Sequence, residues 1–311
     1  PNIIGLLSSC YSGEQASTQP MSPKTEAMPA IDKFVLIGDY KQLPAVVRQN
    51  AIQAAVNEPL LNGIGLTDCR QSLFERLIHR EQQQGRTHFI GILSKQGRMH
   101  PDVADFPTKM FYAEEKLGIV PCEHQKERSL PYRLPSQCPL DDLLKAHRFL
   151  FFNSPTCRQP NLSDKVNTAE AQLVAQLLQR IHRFYGQRFD ANHTVGVIVP
   201  YRNQIAMIRQ AIAQLHLPEL DTTTIDTVER YQGSQRDVII YSFTVQNRYQ
   251  LDFLTANSFE ENGHIIDRKL NVALTRARCQ MLITGHSETL KHDPVFSLLI
   301  ADAQQKDCFV C

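Results

Sequence analysis

Residues 195–200 read Val-Gly-Val-Ile-Val-Pro, an unbroken apolar run that ends at a proline. Apolar side chains without polar alternation are typical of a strand buried on both faces, as in a parallel sheet covered by helices. Residues 202–215 follow with the spacing of an amphipathic helix, so we predict a helix directly after the strand. This succession indicates an α/β protein.

Three more apolar runs match the pattern, at residues 34–37, 238–241 and 281–284. The segments between the runs carry helix signals. Ser72 and Glu75 have the spacing of a capping box, and Thr168 is predicted to cap a helix that ends at Gly186. Strands that alternate with helices predict a parallel sheet flanked by helices.

A Gln-rich segment at residues 82–85 divides the chain into two predicted domains. Residues 1–85 hold one predicted strand behind a polar opening, so we expect them to be the C-terminal remainder of a first domain. Residues 86–311 are predicted to form a complete second domain. Four prolines at about 121–140 predict an irregular insertion on its surface.

The composition is that of an ordinary globular protein: 311 residues, 42% hydrophobic and 21% charged, with a formal net charge of +1. These values exclude a disordered or fibrous chain, and the total charge requires any basic surface to be local. No apolar run approaches the roughly 18 residues of a membrane span, and no signal sequence opens the chain. We therefore expect an intracellular protein, cytoplasmic or nuclear, with no membrane partner.

The eight cysteines are scattered along the chain, and we expect most of them to be buried thiols. Cys308 and Cys311 form a C-x-x-C pair, but a zinc site needs a second ligand pair at similar spacing. Because Cys122 and Cys138 stand far apart, we predict no metal site there and a frayed terminus instead.

Two segments carry polar residues typical of a ligand site, GDYKQLP at residues 38–44 and QGRMHP at residues 96–101. Asp39 and Gln42 follow a predicted strand, where parallel sheets bind ligands, although an ordinary turn has the same pattern. Arg98 stands at a loop-to-helix junction. A guanidinium group there suits phosphate oxygens, although a lone surface arginine is more often only solvated.

Two later segments have the same character, YQGSQRD at residues 231–237 and LNVALTRAR at residues 270–278. Gly233 permits close approach of the backbone to a ligand, or serves as a turn glycine. Arg276 and Arg278 lie two positions apart in a helix-like run, so they point to different faces. One of them can therefore point at a cleft while the other points elsewhere.

Taken in order, the strings GDYKQLP, QGRMHP, QGSQRDVII and VALTRAR resemble the later motifs of superfamily 1 helicases. The branch is the one that includes the nonsense-decay helicase and the replication nuclease-helicases, and the resemblance covers residues 34–285. It implies a RecA-like P-loop NTPase fold. In that family two such domains hold ATP and Mg²⁺ in the cleft between them, with single-stranded nucleic acid across their tops.

The resemblance also implies roles at the nucleotide. Gln42 is expected to sense the γ-phosphate and the attacking water, Arg98 and Arg276 to act as arginine fingers, and Gly233 to approach the phosphates with its backbone. Asp39 is assigned to the same nucleotide site. A finger is commonly worth about 10³ or more in rate, so we expect removal of Arg276 to abolish turnover.

For single-stranded nucleic acid, the segment that begins at Val195 resembles the family's nucleic-acid motif, with Pro200, Tyr201 and Gln204 at the turn from the β-strand to the helix. Tyr201 is expected to stack on a base or sugar, although a half-buried aromatic at a sheet edge has the same pattern. Thr227 stands where the family places a hydroxyl on a backbone phosphate. All of these contacts would be independent of base sequence.

Four features depart from the family pattern. The chain contains no Walker loop of the form G-x-x-x-x-G-K-[ST], and the nearest match to the Asp-Glu pair that binds Mg²⁺ is Glu14-Gln15. Gln15 there replaces the catalytic Glu, and a neutral amide cannot accept a proton from water. Gly97 replaces an aromatic near the adenine and Gln235 replaces a Glu expected at the ribose, and both changes loosen nucleotide affinity.

Two interpretations follow. In the first, the chain is part of a longer helicase whose Walker loop lies upstream. That enzyme would hydrolyse ATP and move 5′ to 3′ along a single strand of DNA or RNA, with DNA favoured, and the chain alone would be inactive. In the second, the ATPase has decayed and the domain remains as a nucleic-acid or protein binding module. A purely structural scaffold would not need Gln42, Arg98 and Arg276 together.

Overall fold

A computed structural model describes residues 10–11, 28–29, 33–47, 49–157 and 163–311. Its strands are short and are distributed along the described residues. They are β1 (Cys10–Tyr11), β2 (Met28–Pro29), β3 (Lys95–Gln96), β4 (Gly118–Ile119), β5 (Phe149–Asn153), β6 (Val195–Val199), β7 (Thr224–Thr227), β8 (Arg236–Ser242), β9 (Ser258–Glu261), β10 (His264–Asp267), β11 (Ala277–Gly285) and β12 (Phe309–Val310).

The helices alternate with these strands. They are α1 (Ala51–Ala54), α2 (Pro59–Gly63), α3 (Leu73–Gln83), α4 (Pro101–Phe111), α5 (Glu123–Lys126), α6 (Pro139–Ala146), α7 (Thr168–Tyr185), α8 (Arg202–Ala213), α9 (Val228–Tyr231), α10 (Leu251–Thr255), α11 (Arg268–Leu274), α12 (Ser287–Leu290) and α13 (Pro294–Gln305). Short 3₁₀ turns lie at Thr87–Phe89, Gly186–Arg188, Pro218–Leu220 and Arg248–Gln250.

The centre of the molecule is a six-stranded sheet in the order β12-β5-β11-β8-β6-β7, in which every neighbouring pair is parallel. Its inner strands are buried on both faces: Leu150, Val197, Ile240 and Leu282 have no exposed surface. Helices cover the two faces, as expected for apolar strands without alternation. The predicted α/β class, a parallel sheet flanked by helices consistent with a RecA-like fold, is therefore confirmed.

Three of the four predicted strands are confirmed, at β6, β8 and β11, but the one at residues 34–37 is wrong. That segment forms no strand and has no ladder partners, and Val35 and Ile37 are 85% and 87% exposed. A strand exists through hydrogen bonds to a neighbour. Within the described ranges, no other strand lies beside this segment to supply them.

The helix starts differ in detail from the capping predictions. Ser72 caps α3 by accepting a hydrogen bond from the Glu75 backbone N–H at 3.1 Å, but the Glu75 carboxylate accepts from Arg268 at 2.7 Å. Asn167 caps α7, not Thr168, because its side-chain oxygen accepts from the Glu170 N–H at 3.1 Å. The helix ends at Gly186 as predicted, where φ is +52°.

The segment at residues 121–140 has mostly irregular backbone, but it is not confined to the surface. Leu130 and Tyr132 are buried, and the Tyr132 ring stacks on Phe184 of α7 with centroids 4.7 Å apart. The Tyr132 hydroxyl also donates a hydrogen bond to Gln280 of β11. This segment therefore covers part of the central core.

In the part of the chain that the structure describes, no helix is both long and apolar enough to cross a bilayer.

Candidate functional site

The residues predicted to contact the nucleotide and those predicted to contact single-stranded nucleic acid lie at opposite ends of the strands of the central sheet. Gly233 and Gln235 precede β8, and Arg276 precedes β11, whereas Tyr201 follows β6 and Thr227 ends β7. Because all of these strands are parallel, their amino ends lie together on one side of the sheet and their carboxyl ends on the other. We call these two sides the amino edge and the carboxyl edge. At 3.3 Å per residue, the seven residues of β8 separate the two edges by about 23 Å.

Arg276 is the central residue of the amino edge, and only 2% of it is exposed. Its guanidinium group donates hydrogen bonds to the Val272 carbonyl at 2.9 Å, to Gln42 Oε1 at 2.9 Å and to Thr275 Oγ1 at 3.0 Å. Burial, with the nearby charge of Arg98, lowers the pKa of Arg276 to about 10. The predicted helix-like run ends at Leu274, so Arg276 sits in the tight connection to β11.

Arg98 is half-buried beside Arg276. Its Nε donates to Gln235 Oε1 at 3.1 Å, and its Nη1 donates to the Thr275 carbonyl at 3.1 Å. Burial lowers the pKa of Arg98. Among the described residues, all hydrogen-bond acceptors of the two guanidinium groups are neutral oxygens, so one buried and one half-buried positive charge lie side by side with no carboxylate among their acceptors.

Asp39 and Gln42 are held together by a network that the sequence did not reveal in full. Asp39 Oδ2 accepts from Gln42 Nε2 at 2.8 Å and from the Tyr112 hydroxyl at 2.5 Å. Asn271 Nδ2 donates to the same hydroxyl at 2.8 Å and to the Lys41 carbonyl at 2.9 Å. Asn271 Oδ1 is buried without a partner in the described structure, which leaves one acceptor at this site unsatisfied.

Tyr112 and Asn271 are the residues of this site that sequence reasoning missed. Asn271 lies inside the LNVALTRAR string, where a fully buried amide among apolar residues was the available signal. An open cleft of about 220 Å³ lies next to the network and is lined by Asp39, Gln42 and Glu75 among others. The cleft gives solvent access to the predicted sensor residue.

Gly233 and Gln235 lie on the same edge as the arginines. Gly233 has φ +85° and open space around it, so its backbone is accessible to a ligand. Gln235 is exposed, and its amide oxygen is occupied by Arg98. The structure therefore brings Arg98 and the residue predicted at the ribose into direct contact. Gln15 lies outside the described residues.

At the carboxyl edge, the structure brings together three of the four residues predicted for the strand. Val199 pairs with Thr227 in the sheet, so Pro200 and Tyr201 directly follow a residue that adjoins Thr227. The Tyr201 side chain is only 7% exposed. Its ring is covered by Phe253, with centroids 5.1 Å apart and 26° between the planes.

Gln204 is the exception, and its predicted contact with single-stranded nucleic acid needs correction. The side chain is fully buried, and its amide exchanges hydrogen bonds at 2.9 Å with both the N–H and the carbonyl of Asn167. These bonds fix the start of α7 against α8. Gln204 therefore supports the carboxyl edge from inside and has no surface to offer a strand.

Phe253 was not predicted, yet it is the exposed aromatic at this edge, with 45% of its surface accessible. The Lys269 ammonium lies 4.0 Å from its ring centre and donates to its backbone carbonyl at 2.8 Å. Ring and cation are thus fixed next to Tyr201. No motif contains Phe253, so only the three-dimensional structure could place it here.

The residues at the amino edge fit the phosphate end of a nucleoside triphosphate. The buried guanidinium group of Arg276 and the half-buried one of Arg98 have neutral partners and leave positive charge that an anion would neutralise, and an accessible glycine backbone lies beside them. The donors of the amino edge are therefore those of an anion site.

Comparison with known families shows to which family the chain belongs. A family model described as "AAA domain" matches residues 69–288, which is well over half of the 311 residues. The chain belongs to that family, and the resemblance to superfamily 1 helicases is confirmed by its relatives.

Three relatives are named as follows. Helicase sen1 of Schizosaccharomyces pombe is 31% identical over 277 residues, covering 87% of this chain and 14% of that protein. Regulator of nonsense transcripts 1 of Dictyostelium discoideum is 28% identical over 306 residues, 94% of this chain and 20% of that protein. Probable helicase MAGATAMA 3 of Arabidopsis thaliana is 29% identical over 279 residues, 88% and 29% respectively. The chain thus spans less than a third of each.

Proposed function

We propose that this chain is part of an ATP-dependent nucleic-acid helicase, in which its amino edge binds the phosphates of ATP and its carboxyl edge binds a single strand. The observation that carries the proposal is the pairing of buried Arg276, which donates to Gln42, with half-buried Arg98, both of them bonded to neutral partners. The names of the relatives support it, since two of the three are called helicases.

The side chains have distinct tasks in this proposal. Bound ATP and Mg²⁺ would supply the transferable phosphoryl group and the metal that neutralises part of its charge. Arg98 and Arg276 hold positive charge where negative charge develops, and burial strengthens their effect because water does not screen it. Gln42, fixed by Asp39 and Arg276, presents its amide to the water that attacks.

We further propose the division of the chain into residues 1–85 and 86–311, with movement from 5′ to 3′. The arginines would then reach the nucleotide from the second domain and Gln42 from the first. The predicted strand contacts are to the backbone, and DNA is the proposed strand. RNA has to be tested beside it, since one relative is named a regulator of nonsense transcripts.

The test is magnesium-dependent ATP turnover by the longest natural form of the polypeptide, with and without single-stranded DNA or RNA, beside its Arg276→Ala variant. We expect one kind of strand to stimulate turnover and the variant to lose turnover while it still binds the strand. Turnover that is absent in the natural protein, with strand binding intact, would contradict the proposal.

That second outcome corresponds to a decayed helicase retained as a nucleic-acid or protein binding module. One observation favours it: Gln235, which replaces a glutamate expected at the ribose, is occupied by Arg98. An amide held in this way offers the nucleotide less than a free carboxylate does. The Gln235→Glu variant separates the two cases, because it should tighten ATP binding only where a nucleotide site exists.

A further inference from the structure

The hairpin of β9 and β10 belongs to none of the motifs, yet it contacts the segment that carries Gln42. The two strands pair in register from Ser258 to Asp267 and turn at Asn262-Gly263, where φ is +50° and +80°. Asn-Gly with positive φ at both positions is typical of a tight two-residue hairpin turn. The hairpin leads directly into α11, which carries Asn271.

Glu261, the last residue of β9, joins the hairpin to two consecutive residues near the amino edge. Its Oε1 accepts a hydrogen bond from the Tyr40 hydroxyl at 2.7 Å, and its Oε2 lies 3.0 Å from Lys41 Nζ. Lys41 is 3% exposed and also contacts Glu115 at 2.6 Å. The Lys41 ammonium is therefore held between two carboxylates, one of them from the hairpin.

Arg268, at the base of the hairpin, reinforces this contact. Its guanidinium group donates to the Tyr40 carbonyl at 2.9 Å and to the Glu75 carboxylate at 2.7 Å. The Phe259 ring lies under the same guanidinium at 4.2 Å and beside the Tyr40 ring at 6.2 Å. Side-chain and main-chain groups of Tyr40 are thus both bound from the hairpin side.

These contacts bear on the nucleotide site because Tyr40 and Lys41 immediately precede Gln42. The Lys41 carbonyl is bound by Asn271, and the Gln42 amide lies 2.9 Å from Arg276. The segment that leads to these residues, which includes residues 34–37, is exposed and has no strand partners, so without further contacts it would sample many conformations. The hairpin supplies the side-chain contacts that fix its end.

We propose that the β9–β10 hairpin, through Glu261, positions Gln42 against Arg276 for the nucleotide. Glu261 is in this view a positioning residue and does not touch the reacting atoms. The proposal rests on the proposed function, but its geometric part can be measured independently.

The experiment compares Glu261→Gln with Glu260→Gln in the longest natural form of the polypeptide. Glu260 is the exposed neighbour on the same strand, so its side chain points to the other face and the control changes charge equally. We expect Glu261→Gln to lower kcat by about tenfold or more, with KM for ATP and strand affinity within about twofold of the natural protein. Glu260→Gln should leave all three unchanged.

Tyr40→Phe gives a second test that keeps the Lys41 ion pairs intact. We expect a smaller decrease in kcat, and the double variant with Glu261→Gln should be no slower than Glu261→Gln alone, because both act through one contact. Full activity of Glu261→Gln would overturn the proposal. So would a loss of kcat and strand affinity together with a lowered melting temperature, since that pattern marks a general structural role.

Amide hydrogen exchange separates this inference from the proposed function. Glu261→Gln should accelerate exchange at the backbone N–H groups of Lys41 and Gln42, which bond to Asp39. Faster exchange in a protein that never hydrolyses ATP would contradict only the proposed function. Unchanged exchange would contradict the role of the hairpin whatever the activity.

Discussion

Arg276 and Gln42 are 234 positions apart in the chain, yet the guanidinium group of one donates to the amide oxygen of the other at 2.9 Å. The bond joins two of the motif strings that sequence comparison had related only by order. The acceptor of this bond is not a carboxylate, because an amide oxygen carries no net charge. This relationship is the basis on which we propose that the amino edge of the sheet binds an anion.

Arg276, which directly precedes β11, and Arg278, which lies in β11, should respond differently to replacement by lysine. Arg276→Lys should lower ATP turnover by about 10³, because the single nitrogen of an ammonium group lacks the planar fork with which Arg276 reaches Val272 and Gln42 from different nitrogens and keeps a further N–H for a phosphate. Arg278→Lys is the matched control. It lies two residues away and pairs with Asp237 at 2.8 Å, so turnover should change little.

Steady-state ATP hydrolysis with saturating single strand measures both variants, and strand binding verifies that each is folded. Equal loss of turnover in the two variants would contradict the assignment of the anion site to Arg276.

Phe253, not Tyr201, should provide the stacking surface for a strand. Phe253→Ala should weaken single-strand binding by about 1–3 kcal/mol, the usual value of one base–aromatic stack. Phe89→Ala, which removes a 71% exposed ring elsewhere, should leave binding unchanged. Fluorescence anisotropy with a labelled oligonucleotide measures the affinities, and equal effects of the two variants would argue against a stacking role.

Glu170 should make the stability of the fold depend on pH. Burial raises its pKa from the ordinary 4.5 to about 7, although Ser242, Thr244 and Ser154 all donate hydrogen bonds to it. The unfolded chain therefore loses this proton at lower pH than the folded protein does. The free energy of unfolding should fall as the pH rises from about 4.5 to about 7 and then level off, by roughly 3 kcal/mol in total.

Asp267, also buried with a pKa raised to about 7, adds a contribution of the same sign. Urea unfolding at a series of pH values, with Glu170→Gln beside the natural protein, isolates the part due to Glu170. The variant should have the shallower slope, and identical slopes would show that Glu170 loses its proton at the same pH in the folded protein as in the unfolded chain.

Gly196 in β6 should not tolerate a methyl group. A Cβ at this position would overlap the Tyr231 hydroxyl and lie 3.1 Å from Arg236 Cγ. We expect Gly196→Ala to destabilise the fold by about 1–3 kcal/mol, as overpacking usually does. Gly91→Ala, at a site with open space, is the control for thermal unfolding. Tyr231→Phe should restore part of the loss, since it removes the overlapping oxygen.

Three of the six sheet strands, β6, β8 and β11, were predictable because each contains an apolar run that the sequence shows directly, whereas β5, β7 and β12 were not predicted. The strings assigned Arg276 and Gln42 to one nucleotide site without any knowledge of the fold, and the structure brings the two residues into contact. Gln204 and Phe253 were not predictable in the same way. The burial of Gln204 and the stacking of Phe253 depend on which segments, distant in sequence, pack at the carboxyl edge. Neither hydrophobic periodicity nor a sequence motif contains that information.

The separation of the two edges of the sheet has a consequence for how such a protein can diversify. Side chains at the carboxyl ends of β6 and β7 can be exchanged without moving Arg98 or Arg276, because some 23 Å of hydrogen-bonded strand lies between them. Under the proposed function, preference for one type of nucleic acid is then a trait that selection, or a designer, can change on its own while the arginines proposed to meet ATP are inherited intact.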